Sequence, residues 1–146
     1  MDYFNGRIES FTITPDNIYE LNHLSPTLEK LVCSNCCLTE LPPLPPTLIQ
    51  LFCGNNRLTH LPELPSTLRI LNCCKNKLTH LPDLPSLTHL FCSYNEMEEL
   101  PNLPYTLIKF ACEHNQLCGY YYNEKLTIEE LREWQTNRLT QLYTLK

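Results

Sequence analysis

Nine cysteines in a chain of 146 residues are the first chemistry to account for. Cys33, Cys36 and Cys37 form a C-x-x-C-C run, a spacing from which a zinc site can be built. His60 and His80 lie in one column, stacked at about the strand spacing of ~4.8 Å, but two histidines alone make a thin metal site. An odd number of cysteines cannot all pair within one chain, although so many in a secreted protein would suggest disulfides. No Ser/His/Asp set, phosphate loop or pocketed pair of carboxylates can be argued from the residues. The chain is therefore expected not to be an enzyme.

The elements that would have to position these residues offer a simpler account of them. Cys33, Cys53, Cys73, Cys92 and Cys112 follow one another in steps of 20, 20, 19 and 20 residues. Residues 48–65, LIQLFCGNNRLTHLPELP, are echoed by residues 68–85, LRILNCCKNKLTHLPDLP. Their common frame is L-x-x-L-x-C-x-x-N-x-L-T-H-L-P-x-L-P, and a period of this length predicts a stack of like turns. Other columns keep step. Leu28, Leu48, Leu68, Leu87 and Leu107 form one, and Leu31, Leu51, Leu71, Leu90 and Phe110 the next. Asn56, Asn76, Asn95 and Asn115 form a third, with Cys36 in the earliest full repeat. Cys33 and Cys36 thus belong to stacked columns. Packing accounts for them better than metal, and a solvated edge accounts for the two histidines, so neither metal nor cofactor is expected.

Within a repeat, two periods follow one another. Around Leu51, Phe52 and Cys53 the alternation is two, which predicts a short parallel strand with Leu51 and Cys53 inward and Gln50, Phe52 and Gly54 outward. On the return, Leu61-Pro62-Glu63-Leu64-Pro65 has a period of three, as in polyproline II, so Leu61 and Leu64 are both expected inside. Twenty residues leave no room for a full helix on the back of each turn. The asparagine column is expected to be buried, because an amide offers donors and an acceptor where the strand turns away from its ladder.

Both ends depart from the frame. Ile8, Phe11, Ile13, Asp16, Ile18, Leu21 and Leu24 are a worn copy, suited to an end rung that meets water. Six rungs result. After Asn115 the frame decays, and Thr127-Ile-Glu-Glu has the form of a capping box opening a helix over residues 127–142. Its apolar stripe, Ile128, Leu131, Trp134, Leu139 and Leu142, is expected to cover the last rung, with a free partner-binding helix as the alternative. The expected architecture is an α/β solenoid: parallel strands on the concave face, an extended proline-stiffened convex side and a C-terminal capping helix. It forms one domain over 1–146, with a degenerate repeat at 1–27, regular repeats at 28–118 and a helical cap at 119–146.

Composition narrows the partners. A net charge of −5 and a pI near 5.5 argue against nucleic acid, which requires clustered Lys and Arg. The start MDYFNGRIES is no secretory signal, no stretch is long and apolar enough for a membrane span, and N-x-S/T sequons are absent. A reducing cytoplasm is the expected setting.

Function is expected on the concave face. Its central outward column runs Val32, Phe52, Asn72, Phe91, Ala111, beside Lys30, Gln50, Ile70, His89, Lys109. A third column holds Ser34, Gly54, Cys74, Ser93 and Glu113, which makes Cys74 the thiol expected to label first. Two exposed phenylalanines and Ile70, rimmed by Lys and His, suit a protein-binding patch. The candidate residues are Val32, Gln50, Phe52, Ile70, Asn72, His89, Phe91 and Lys109, facing a protein partner and no small-molecule substrate. A structural component of an assembly, touching neighbours through edges and caps, is the alternative. A metal- or redox-responsive protein is the third class.

The repeats over residues 24–117 resemble the short leucine-rich repeat class whose units end in L-P-x-L-P. That class is known from effectors that pathogenic bacteria inject into host cells, and similar Cys- and Asn-rich repeats occur in predicted proteins of giant amoebal viruses. The resemblance implies a scaffold for protein partners, in a host cytoplasm or a virion. Many bacterial relatives carry a ubiquitin-ligase domain after the repeats, with a catalytic Cys followed two residues later by Asp. None of the nine cysteines here has Asp at that offset, so ligase activity is not expected to carry over. Members built only of repeats act as adaptors or decoys, and this chain is similar to those.

Overall fold

Alternation lasts only from one leucine to the cysteine two positions on, so each regular repeat contributes a strand of three residues. In a computed structural model, which describes residues 2–4, 7–116, 129–130, 132–133 and 136, these are β3 (Lys30–Val32), β4 (Gln50–Phe52), β5 (Ile70–Asn72), β6 (His89–Phe91) and β7 (Lys109–Ala111). They pair in parallel, column on column: Leu31 lies opposite Leu51, Leu51 opposite Leu71, Leu71 opposite Leu90, and Leu90 opposite Phe110. Before them come β1 (Asp2–Phe4) and β2 (Arg7–Thr12), and all seven strands form one sheet in chain order. The architecture is the expected parallel-strand solenoid.

The core is a stack of identical layers. Leu28, Leu48, Leu68 and Leu87 are fully buried, as are Leu31, Leu51, Leu71 and Leu90 and the thiols Cys33, Cys53, Cys73 and Cys92. Each fully buried leucine contributes about 2 kcal/mol, so every added rung brings its own share of core. The small cysteine allows the chain to turn tightly after the strand without opening a gap.

The asparagine ladder closes that turn as expected, with Asn76, Asn95 and Asn115 buried and Asn56 only half-buried. Asn95 donates to the carbonyls of Cys73 (3.1 Å) and Cys92 (3.0 Å), and its Oδ1 accepts the Leu78 N–H at 3.0 Å. Asn115 does the same one rung later, for Cys92, Cys112 and Met97. Cys36 stands in for asparagine at the start of the ladder, its Sγ directed at the carbonyls of Ile13 (3.4 Å) and Ser34 (3.3 Å).

A second ladder, on the other side of the strands, was not anticipated. Thr47 Oγ1 donates to the carbonyls of Pro26 and Leu28, each at 2.9 Å. Thr67 bonds those of Pro46 and Leu48 in the same way, and Thr106 that of Leu87. The repeat that is one residue short loses its threonine here. Elsewhere the leucine N–H closes a turn on the carbonyl three residues back (Leu68 to Pro65, 2.9 Å), whereas Leu87 bonds Pro85 at 2.6 Å. The deletion is absorbed before the strand, and the register of Leu71 with Leu90 is undisturbed.

The convex return is extended and irregular. Leu41, Leu61, Leu81 and Leu100 are buried, but Leu44, Leu64 and Leu84 are only half-buried, which corrects the expectation for Leu64. Two successive proline segments leave a hollow of about 430 Å³ lined by Pro43, Leu44, Pro46, Pro62, Glu63, Leu64 and Pro65, onto which Leu44 and Leu64 open.

At the N-terminal end, Phe11, Ile13 and Leu21 enter the core while Ile18 stays 37% exposed. The side chain of Ile8 lies outside the described residues. A 3-10 helix, Pro15–His23, replaces the extended segment there, entered by a bond from Thr14 N–H to Asn17 Oδ1 (2.6 Å). β1 pairs antiparallel with β2 and covers its outer edge, a hairpin that the repeat pattern does not contain.

Glu129, Glu130, Arg132, Glu133 and Thr136 are helical, within the expected segment 127–142. Arg132 Nη2 donates to the carbonyls of Tyr105 (2.8 Å) and Leu107 (3.1 Å), which seats this helix on the last rung. Leu117, Tyr120, Ile128, Leu131, Trp134, Leu139 and Leu142 lie outside the described residues.

Candidate interaction surface

Alternation along three-residue strands turns the middle side chain into the core and its two neighbours onto the concave face. Val32, Gln50, Phe52, Ile70, Asn72, His89 and Phe91 all lie on that face and are half-buried, while Lys109 is exposed. The two phenylalanines are therefore less open than expected. At strand spacing, neighbouring side chains shield one another's flanks: the Lys30 ammonium sits 5.6 Å from the Phe52 ring centre, and the His89 and Phe91 rings are 6.3 Å apart. A cation held over an aromatic face and a tilted ring pair both favour fixed rotamers.

His89 is held in place from its own strand: Thr88 Oγ1 donates to the Arg69 carbonyl at 3.0 Å and lies 2.9 Å from His89 Nδ1. Nε2 is the ring nitrogen that this contact leaves available to a partner.

The third concave column is more closed than its alternation implies. Gly54 is buried, with Asn72 Oδ1 3.3 Å and the Cys74 carbonyl 3.2 Å from where a Cβ would stand. The same Oδ1 accepts the Cys74 N–H at 3.2 Å, so glycine makes room for the Asn72 amide. Ser93 is buried too, its hydroxyl donating to Glu113 Oε2. Cys74, beneath that pair, is half-buried, and burial pushes its thiol up. Among the described cysteines the exposed one is Cys37, which corrects the choice of Cys74.

Cys33, Cys53, Cys73, Cys92 and Cys112 are buried packing groups. Burial first, with the neighbouring Cys36 second, pushes the Cys33 thiol up to about 12. Burial and then Glu113 do the same for Cys112. Burial pushes Cys53, Cys73 and Cys92 well up as well. Such thiols stay protonated near neutrality, and it is the thiolate that binds metal or attacks. In the C-x-x-C-C run, Cys33 and Cys36 face inward and Cys37 faces out. Among the described residues no three His, Cys, Asp or Glu side chains converge on one point. Each of His60 and His80 is exposed and contacts the threonine before it, Thr59 or Thr79.

One further column escaped the reading of the residues. Asn35, Asn55, Lys75, Tyr94 and His114, each preceding an asparagine-column residue, all have positive φ, from 55° to 62°. Asn tolerates this conformation, but for Lys, Tyr and His it costs about 1–2 kcal/mol each. Their side chains stack outside the ladder. Asn55 Nδ2 donates to Asn35 Oδ1, the Lys75 ammonium lies 5.7 Å from the Tyr94 ring centre, and the Tyr94 and His114 rings stack at 4.2 Å. The signal available beforehand was a polar column in register, one residue after each position of the third concave column.

No family model matches the chain, and neither does any curated protein. Solved structures do. The leucine-rich repeat domain of a Shigella effector is 39% identical, covering 60% of this chain and 40% of that one, with a TM-score of 0.58. YopM from Yersinia enterocolitica is 32% identical over 70% of this chain and 28% of its own, at 0.54. YopM from Yersinia pestis, a leucine-rich effector protein, is 30% identical over 64% and 34%, at 0.53. The chain thus spans between 28% and 40% of the length of these three structures. Stacked three-residue strands over a leucine core, together with these likenesses, identify a leucine-rich repeat fold of the kind found in bacterial effectors.

Proposed function

We propose that the chain is a non-catalytic interaction module of the short L-P-x-L-P repeat class, holding a protein partner on its concave sheet within a cytoplasm. The observation that carries this reading is that Phe52 and Phe91 flank Asn72, one strand to either side of it on the concave sheet, rimmed by Lys30, His89 and Lys109. Their positions are two rungs apart, about 9–10 Å. Aromatic anchors at this density are the usual energetic centre of a protein interface, and a hydrogen-bonded sheet presents them with little left to order on binding. No helix among the described residues is long and apolar enough to cross a membrane.

The test is affinity capture with the double variant Phe52→Ala/Phe91→Ala against the wild-type chain, with Glu63→Ala/Asp83→Ala on the convex side as control. The expected result is loss of the captured partner by the phenylalanine variant alone, with an unchanged circular dichroism spectrum. A folded double variant that still captures the same partner would move the site away from the concave face, to the edges and caps of an assembly component.

A further inference from the structure

We propose that the edge of the solenoid beside the asparagine ladder is a second docking surface, one that takes an extended acidic segment of a protein partner. Arg57 and Lys77 occupy successive positions of one column, and Lys75 lies in the exposed column on the other side of the asparagines; all three are exposed. Backbone bonds hold the rungs together along this edge: Asn56 N–H to the Lys75 carbonyl at 3.1 Å, Arg57 N–H to Leu38 at 2.7 Å, Lys77 N–H to Leu58 at 2.9 Å. The cations therefore recur at about the ladder spacing of ~4.8 Å on a fixed frame. Alternate side chains of an extended peptide project to one side about 6.7 Å apart, within reach of long Lys and Arg side chains.

Charge is segregated around the molecule. The chain is acidic, at −5, and its convex proline segments expose Glu63 and Asp83, whereas Arg57, Lys75 and Lys77 gather on the one edge. Like charges on neighbouring rungs repel, so a partner of opposite sign relieves them. Glu96 follows Lys77 in its column and ends the positive stretch after two rungs. That length suits a few carboxylates in a row and not a nucleic-acid backbone, whose binding rests on many cations.

The left-handed column supplies the second observation. Lys75, Tyr94 and His114 adopt φ of 55°, 59° and 56°, a conformation for which the chain uses Asn at positions 35 and 55. The side chains kept there at a conformational cost form a stack: the Lys75 ammonium over Tyr94, and Tyr94 against His114. Tyr94 is half exposed at 50% beside the Lys75 ammonium, so its ring can meet an apolar or hydrogen-bonding residue next to the carboxylates.

Fluorescence anisotropy with a short fluorescein-labelled peptide of alternating Asp and Ser tests the surface, with an Asn-for-Asp peptide and a single-stranded RNA as comparison probes. The Asp peptide is expected to bind about tenfold or more tightly than the Asn peptide and to weaken as salt rises. Arg57→Ser/Lys77→Ser should remove that preference, while Phe52→Ala/Phe91→Ala should keep it, which separates this edge from the concave face. Lys75→Asn/Tyr94→Asn should weaken the peptide while the melting temperature stays level or rises. A fall in melting temperature would make the stack a structural brace and overturn its assignment to binding. Equal binding of the two peptides, or tighter binding of the RNA, would overturn the proposal. So would a concentration-dependent dimer that the Arg57→Ser/Lys77→Ser variant abolishes, since the occupant would then be the acidic convex side of a second copy.

Discussion

The side-chain amide of Asn76 donates to the carbonyl of Cys53, 23 residues earlier, at 3.1 Å. It also donates to Cys73 in its own rung at 3.0 Å, and its Oδ1 accepts the Leu58 N–H at 3.0 Å. A single buried side chain thereby satisfies the backbone of two consecutive rungs at the point where their strands end. Truncation to alanine would leave these groups buried and unpaired.

Asn76→Ala should therefore cost about 3 kcal/mol in urea unfolding, above the loss of an ordinary hydrogen bond. Asn76→Cys should cost less, because Cys36 already fills the equivalent place with its thiol directed at two carbonyls. Equal losses for the two variants would mean that the thiol contributes nothing beyond volume.

The buried thiols predict sensitivity to alkali. In the unfolded chain cysteine titrates near 9.0, whereas Cys33 and Cys112 in the folded chain are pushed up to about 12 and Cys53, Cys73 and Cys92 well up. Above pH 9 the unfolded chain loses protons that the folded chain keeps. Stability is thus full below pH 9 and falls as pH rises toward 12, by about 1.4 kcal/mol per pH unit for each such thiol. The urea midpoint should drop steeply above pH 9, and less steeply in Cys53→Ala/Cys73→Ala.

Thiol accessibility should follow the turn geometry. Cys37 is exposed and should be alkylated before any other described cysteine, Cys74 should react slowly, and Cys33, Cys53, Cys73 and Cys92 only on unfolding. Peptide mapping after brief iodoacetamide treatment reads this order. Early labelling of Cys73 would contradict the strand register.

Gly54→Ala would place a methyl group 3.2 Å from the Cys74 carbonyl and 3.3 Å from Asn72 Oδ1. One contact is backbone of the next rung, so relief must come from displacing the Asn72 amide and its bond to Cys74 N–H. Thermal unfolding should show a loss of about 1–2 kcal/mol. The amide resonances of Asn72 and Cys74 should shift most.

In a solenoid, a residue's neighbours are its own column one period before and after, so a period read from the chain is already three-dimensional information. That is why the strand register, the inward leucines and cysteines of the strands, the asparagine ladder with Cys36 as stand-in, and the residues on the concave face were legible in advance. Contacts between different columns carry no such period, and tertiary structure decided them. They set the depth of Phe52 and Phe91, the covering of Gly54 by Asn72, and the exposure of Cys37 in place of Cys74. The sign of φ at Lys75, Tyr94 and His114 was equally invisible, because side chains with a Cβ rarely adopt it without a ladder to enforce it. The β1 hairpin and the 3-10 helix lay beyond the repeat for the same reason: an end rung has a neighbour on one side only, and its chain closes by local bonds instead of by period.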